Sequence, residues 1–162
     1  MEAQQADTGF AVFGSYFADN GDAPNTWEGA LRVLGDVLIA RGCAAPAYIE
    51  AVVERERSYP TGLALGTWGV ALPHGDPTGV RCGAISVGRF ERPVRFRRMD
   101  DAESAVDVDV VFFMAVDDPE GHLAVLSKLM DAIGDEACRR ELLAAHDGPA
   151  IVATIMRYLD HS

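Results

Sequence analysis

Apolar residues recur at helical spacing over residues 25–42, where NTWEGALRVLGDVLIARG sets Trp27, Ala30, Leu31, Leu34, Val37 and Leu38 on one face. Asn25 and Glu28 have capping-box spacing, and Gly42 stands where a helix-ending glycine belongs. A second helix is expected from Pro46, a good first-turn residue, through Tyr48, Ile49, Val52 and Val53 to about Arg57. SYPTGLALGTWG, punctuated by Pro60, Gly62 and Gly66, reads as a loop. From Trp68 the period shortens, and WGVAL, CGAISV and VRF are short strand-like runs bounded by Gly, Pro or charge. VDVDVVFFMAV alternates and then turns wholly apolar, as a strand does when its second half is covered on both faces. Three helices close the chain: DDPEGHLAVLSKLMDAIG, opened by Asp118 as cap and Pro119 at the first position, then DEACRRELLAA and PAIVATIMRYL. Helices first, strands in the middle and helices last predict an α/β fold, a single compact domain with a mixed β-sheet flanked by helices. Residues 1–8 are expected to be a disordered N-terminal tail, and 9–162 the domain.

Charge narrows the partners. The net charge of -11 disfavours nucleic acid and anionic membranes, which repel an acidic surface. Six of the 14 basic residues lie between Arg81 and Arg98, and read as solvated strand faces and hairpin edges. The apolar stretch FAVFGSYFAD is too short to cross a bilayer, so no membrane insertion is expected. Cys43, Cys82 and Cys138 are odd in number, widely spaced and free of any Cys-x-x-Cys pair, which fits a reducing cytoplasm.

Candidate chemistry centres on GVALPHGD, where an apolar strand stops and His74 stands between Pro73 and Gly75. Polar side chains at turns usually serve the local backbone. Here, however, the two neighbours specify the direction of the ring, and the carboxyl end of a strand is where open α/β sheets place ligands. His122, in the first turn of a helix, can approach it, and the amides of that turn would welcome an anion such as phosphate. His146 follows a helix end and reads as a partner of that helix's free carbonyls, while the penultimate His161 is given no role. No metal-ligand spacing, Gly-x-Ser-x-Gly elbow or Walker loop is present, so neither metal nor nucleotide cofactor is expected. Arg55, in ERER, reads from its surroundings alone as part of a solvated helix face.

EAVVERERSYPTGLALGTWGVALPHGD resembles the signature of the enzyme IIA components of the fructose/mannitol class (type 2) of the sugar phosphotransferase system. Its parts are Arg55-Glu56, Pro60-Thr61-Gly62, Val70-Ala71-Leu72 and Pro73-His74-Gly75, and the likeness extends through VRFRRMD, VDVDVVFFMAV and GHLAVLSKLM, over about residues 25–158. The loop length is most similar to the galactitol-type branch. The resemblance implies the enzyme IIA type-2 fold and a cytoplasmic phosphotransferase role. His74 would accept a phosphoryl group from phospho-HPr and pass it to a IIB component, for uptake of a galactitol-like or fructose-like sugar through the IIC membrane component. It further implies that His122 steadies the phosphoryl group or its partner and that Arg55 neutralises phosphate charge. Asp76, directly after Pro-His-Gly, adds an anion beside that site. The alternative implied is a regulatory nitrogen-type or orphan IIA protein, in which phosphorylation of His74 switches partner binding.

Overall fold

The computed structural model describes residues 3–5 and 10–160. Its elements are β1 (Ala3–Gln5), β2 (Ala11–Phe17), α1 (Trp27–Ala40), α2 (Pro46–Ser58), β3 (Gly62–Ala64) and β4 (Gly69–Ala71). They continue with β5 (Ala84–Arg97), β6 (Ala105–Ala115), α3 (Pro119–Ile133), α4 (Glu136–Ala144) and α5 (Gly148–Asp160). The six strands form one mixed sheet in the order β1-β2-β5-β6-β4-β3. β2 is parallel to β5 and β4 to β6, whereas β5 and β6 form an antiparallel pair. The α/β architecture expected from the sequence is therefore present.

Alternation along β6 divides the interior. Val110, Phe112 and Met114 face a core shared with α3, α4 and α5, through Leu129, Leu142, Ile151 and Ile155. Val111, Phe113 and Ala115 face the opposite core, closed by Leu31, Leu34, Leu38, Ile49 and Val52 of α1 and α2. Each such large side chain, wholly withdrawn from water, contributes about 1.5–3 kcal/mol.

Several local expectations change. Thr26, not Asn25, caps α1: its Oγ1 accepts from Gly29 N at 3.0 Å. Glu28 is drawn instead into ion pairs with Arg32 and Arg57. Gly42 does adopt the left-handed conformation, with φ of 74°. The segment read as a loop holds β3, which folds back on β4 through Leu65 N to Trp68 O. The runs CGAISV and VRF belong to one strand, β5, whose register against β6 shifts between Arg89 and Val94. Pro93 lies in that gap, where a residue with no N–H costs no ladder bond.

At the amino terminus, Ala3–Gln5 pair antiparallel with β2, which corrects the expected tail at those positions. The other residues of 1–8, and His161, lie outside the described residues. Among the described residues no helix is long and apolar enough to cross a membrane.

Two side-chain readings are also corrected. Arg89 is buried rather than solvated, and donates to the carbonyls of Leu143 and Ala145 at 2.7 and 3.2 Å. It thereby takes the helix-end role read for His146, whose ring instead meets Tyr16 edge-on at 5.4 Å. Cys43 and Cys82 are disulfide-bonded, with Cα atoms 4.7 Å apart. Backbone pairing accounts for this: Ala45 N donates to Gly79 O, and Arg81 N to Cys43 O, stitching the α1–α2 corner to the loop before β5.

Candidate functional site

β4 and β6 run in the same direction, so their carboxyl ends open on the same edge of the sheet. β4 leads into Pro73 and His74, and β6 leads through residues 116–118 into α3 and His122. The two ends stay laced together, since Met114 N donates to Pro73 O at 3.0 Å. Two histidines 48 positions apart in sequence are thereby brought to a ring-centroid separation of 5.2 Å, with planes inclined at 48°. A cavity of about 340 Å³ opens beside them, lined by His74, Gly75, Pro77, Val116, Asp118, His122 and Leu123.

The His74 ring is oriented by its own backbone. Nδ1 lies 2.8 Å from the carbonyl oxygen of Leu72. A carbonyl can only accept, so Nδ1 carries a proton, and in the neutral ring the lone pair is then on Nε2. Below the turn, Gly75 packs against α2: a Cβ there would lie 3.1 Å from Val52 Cγ2 and 3.6 Å from the Tyr48 ring. Tyr48 Oη accepts from Gly75 N at 3.2 Å and donates to Met114 O at 2.7 Å. Sequence reasoning placed Tyr48 only among apolar helix positions. Its hydroxyl role spans 66 residues and has no local signal.

His122 is partly buried, and this desolvation, then the neighbouring His74, holds its pKa below the ordinary histidine value. It is therefore neutral at pH 7. The amides of its helical turn are less open to an anion than expected: Gly121 N donates to Asp118 Oδ1 at 2.6 Å and His122 N to Asp118 O at 3.1 Å. The cap thus occupies the place a phosphate would take on those two groups. Asp76 is similarly engaged, its Oδ1 accepting from Thr78 Oγ1 at 2.7 Å and Thr78 N at 3.1 Å. Those bonds lower its pKa.

Arg55 does not line the cavity. It is exposed, three residues beyond Val52 on α2, with its guanidinium over the Tyr59 ring at 5.5 Å. The rest of the ERER–PTG segment does structural work nearby. Glu56, 4% exposed, accepts from Thr61 N at 2.7 Å and from Thr61 Oγ1 at 3.0 Å. Burial raises its pKa against the lowering effect of those bonds. Among the described residues, no three His, Cys, Asp or Glu side chains gather as a metal site. In its neutral form, an imidazole whose Nδ1 is committed to a backbone carbonyl, at the mouth of a partly apolar cleft, can act through Nε2 as a nucleophile toward an electrophile delivered from outside.

Comparison with known proteins bears on the fold and the family. The galactitol-specific EIIA component of Escherichia coli (strain K12) is 29% identical over 96 residues, covering 59% of this chain and 63% of that protein. The chain thus matches less than two thirds of that relative's length. The ascorbate-specific EIIA component of Salmonella choleraesuis is 27% identical over 135 residues, covering 82% and 84%. The fold matches that of the Escherichia coli mannitol IIA enzyme, solved in complex with phosphorylated mannitol IIB, with a TM-score of 0.68. Identity there is 24%, over 87% of this chain and 93% of that one. The family described as "Phosphoenolpyruvate-dependent sugar phosphotransferase system, EIIA 2" matches residues 20–158, most of the chain, and the protein belongs to that family.

Proposed function

We propose that the protein is a cytoplasmic phosphocarrier of a sugar phosphotransferase system. It takes a phosphoryl group from phospho-HPr on His74 and hands it to a IIB component serving a IIC transporter. The observation that carries this reading is the bond from His74 Nδ1 to the Leu72 carbonyl, which leaves Nε2 as the nucleophile. In the first transfer the Nε2 lone pair forms the new N–P bond as the N–P bond in phospho-HPr breaks, and the HPr imidazole leaves with that electron pair. His74 keeps its Nδ1 proton throughout, so the phosphorylated ring carries positive charge that the Leu72 carbonyl dipole stabilises. That charge also keeps it a good leaving group for the second transfer, in which the IIB nucleophile forms its bond to phosphorus and the His74 N–P bond breaks.

Such transfers depend on in-line placement and charge neutralisation more than on further covalent help. In this scheme His122, whose ring centroid lies 5.2 Å from that of His74, donates one ring N–H to the phosphoryl oxygens. Arg55, exposed on α2, supplies a guanidinium fork as the partner docks. The exposed Leu123 beside the cavity gives that partner an apolar contact. No sugar contacts this chain in the scheme; galactitol, ascorbate or a fructose-like sugar is selected by the membrane component.

The test is intact-protein mass after incubation with phosphoenolpyruvate, enzyme I and HPr. One acid-labile phosphoryl group on the wild type and none on His74→Ala is expected, with loss of the label on adding a cognate IIB. Equal labelling of the His74→Ala protein would overturn the assignment.

A further inference from the structure

Beyond the histidines lies a second layer that the reaction as described does not use. Thr61 immediately precedes β3, whose pairing with β4 ends at Gly62 opposite Ala71. The next position along β4 is Leu72, 3% exposed, whose N–H would be a buried donor with the strand pairing exhausted. Thr61 fills that place with its side chain: Leu72 N donates to Thr61 Oγ1 at 3.1 Å. The hydroxyl proton is itself committed to the Glu56 carboxylate, so an Oγ1 lone pair is turned to Leu72. On the far side of the same residue, the Pro73 carbonyl is held by Met114 N. The peptide between these two anchors presents the carbonyl that receives the His74 Nδ1 proton.

We propose that Glu56 and Thr61 are positioning residues that set the tautomer and direction of the His74 ring, through the Leu72 backbone that Thr61 anchors. Neither touches the imidazole. Glu56 fixes the Thr61 hydroxyl, Thr61 fixes Leu72, and the Leu72 carbonyl selects the Nδ1–H form. The two parts of the segment, Arg55-Glu56 and Pro60-Thr61-Gly62, are thus tied to Pro-His-Gly by a continuous chain of hydrogen bonds. The consequence for turnover rests on the phosphocarrier reading of His74; the tautomer itself does not.

The experiment compares wild type with Thr61→Val, Thr61→Ser and Glu56→Gln by two readouts. The first is the nitrogen-15 shifts of the His74 ring in the free protein, which distinguish the tautomers. The second is the single-turnover rate of phosphorylation by phospho-HPr. Thr61→Val keeps the volume but removes the hydroxyl, and is expected to give mixed tautomers and a rate about tenfold slower. Thr61→Ser restores both readouts, which a lost packing contact alone would not do. Glu56→Gln, which keeps an acceptor without the charge, moves both in the same direction by less, and decides the matter if Thr61→Val fails to fold. Wild-type ring shifts in a folded Thr61→Val or Glu56→Gln protein would overturn the proposal. A wild-type protein that phospho-HPr cannot phosphorylate overturns the phosphocarrier reading alone, since the ring shifts still test the positioning.

Discussion

Tyr48 holds Gly75 from beneath: its hydroxyl accepts from Gly75 N at 3.2 Å and donates to Met114 O at 2.7 Å. One buried oxygen thereby joins α2, the histidine turn and the end of β6. Burial pushes the phenol up to about 12, so it stays protonated across the range in which the protein is handled. Tyr48→Phe would leave Gly75 N and the buried Met114 O without this partner while preserving the packing against Val52. The expected cost is about 1–3 kcal/mol in urea-unfolding free energy, the penalty of an unmet buried group. An unchanged unfolding midpoint and slope would mean that water or a backbone shift satisfies Gly75 instead.

His122 is predicted to change its proton affinity when His74 is phosphorylated. Burial and the neighbouring ring now depress its pKa, so in the native state it resists protonation. Its contribution to stability is fully present above the unfolded value of about 6.5, and is lost as pH falls below it toward the depressed folded value. A phosphoryl dianion placed against the ring reverses the balance and should raise the pKa. Titration of the His122 ring by NMR, before and after phosphorylation, measures this directly. Identical midpoints in the two states would place the phosphoryl group away from His122.

What the sequence made legible follows from how local each signal is. The helical faces of α1, α3 and α5, and the alternation of β6, are written in periods of a few residues and emerge near their expected bounds. β3 was invisible, because Gly62-Leu63-Ala64 has neither alternation nor β-branched residues and becomes a strand only by pairing with β4. The meeting of His74 with His122 depends on two parallel strand ends, a tertiary fact that spacing alone does not carry. Arg89 shows the reverse error: charge suggested solvent, yet the side chain ends on two helix-terminal carbonyls that only the folded chain brings near. The pairing of Cys43 with Cys82 has no local signal either, since 39 residues separate them and the backbone stitching that joins their loops is not local.

That crosslink yields a stability prediction. For a sequence separation of 39, the chain-entropy account of loop closure gives about 4 kcal/mol. With the bond reduced, the Ala45–Gly79 and Arg81–Cys43 backbone bonds are left to hold the corner. Reduction, or Cys82→Ser, should lower the melting temperature on the order of 10 °C with the fold retained. Thermal melts with and without reductant, alongside thiol counting, would show it. Unchanged melting with both thiols free would assign the holding of this corner to the backbone bonds alone.

Arg55 is the remaining residue of the proposed site, and its position makes a sharp prediction. It rests over Tyr59 on the exposed side of α2, and both side chains meet solvent, so its removal should alter stability by no more than about 0.5 kcal/mol. Its proposed part in phosphoryl transfer is different, because a guanidinium that swings to the phosphate oxygens would act only as charge gathers there. Arg55→Ala is therefore expected to phosphorylate roughly tenfold to a hundredfold more slowly from phospho-HPr, with an unchanged melting curve. Arg55→Lys, which keeps the charge but not the planar fork, should recover part of the rate. Single-turnover labelling read by mass, for the three proteins side by side, separates these outcomes. A wild-type rate in Arg55→Ala would return Arg55 to the solvated helix face suggested by its surroundings, leaving His122 and the docked partner to neutralise the phosphate.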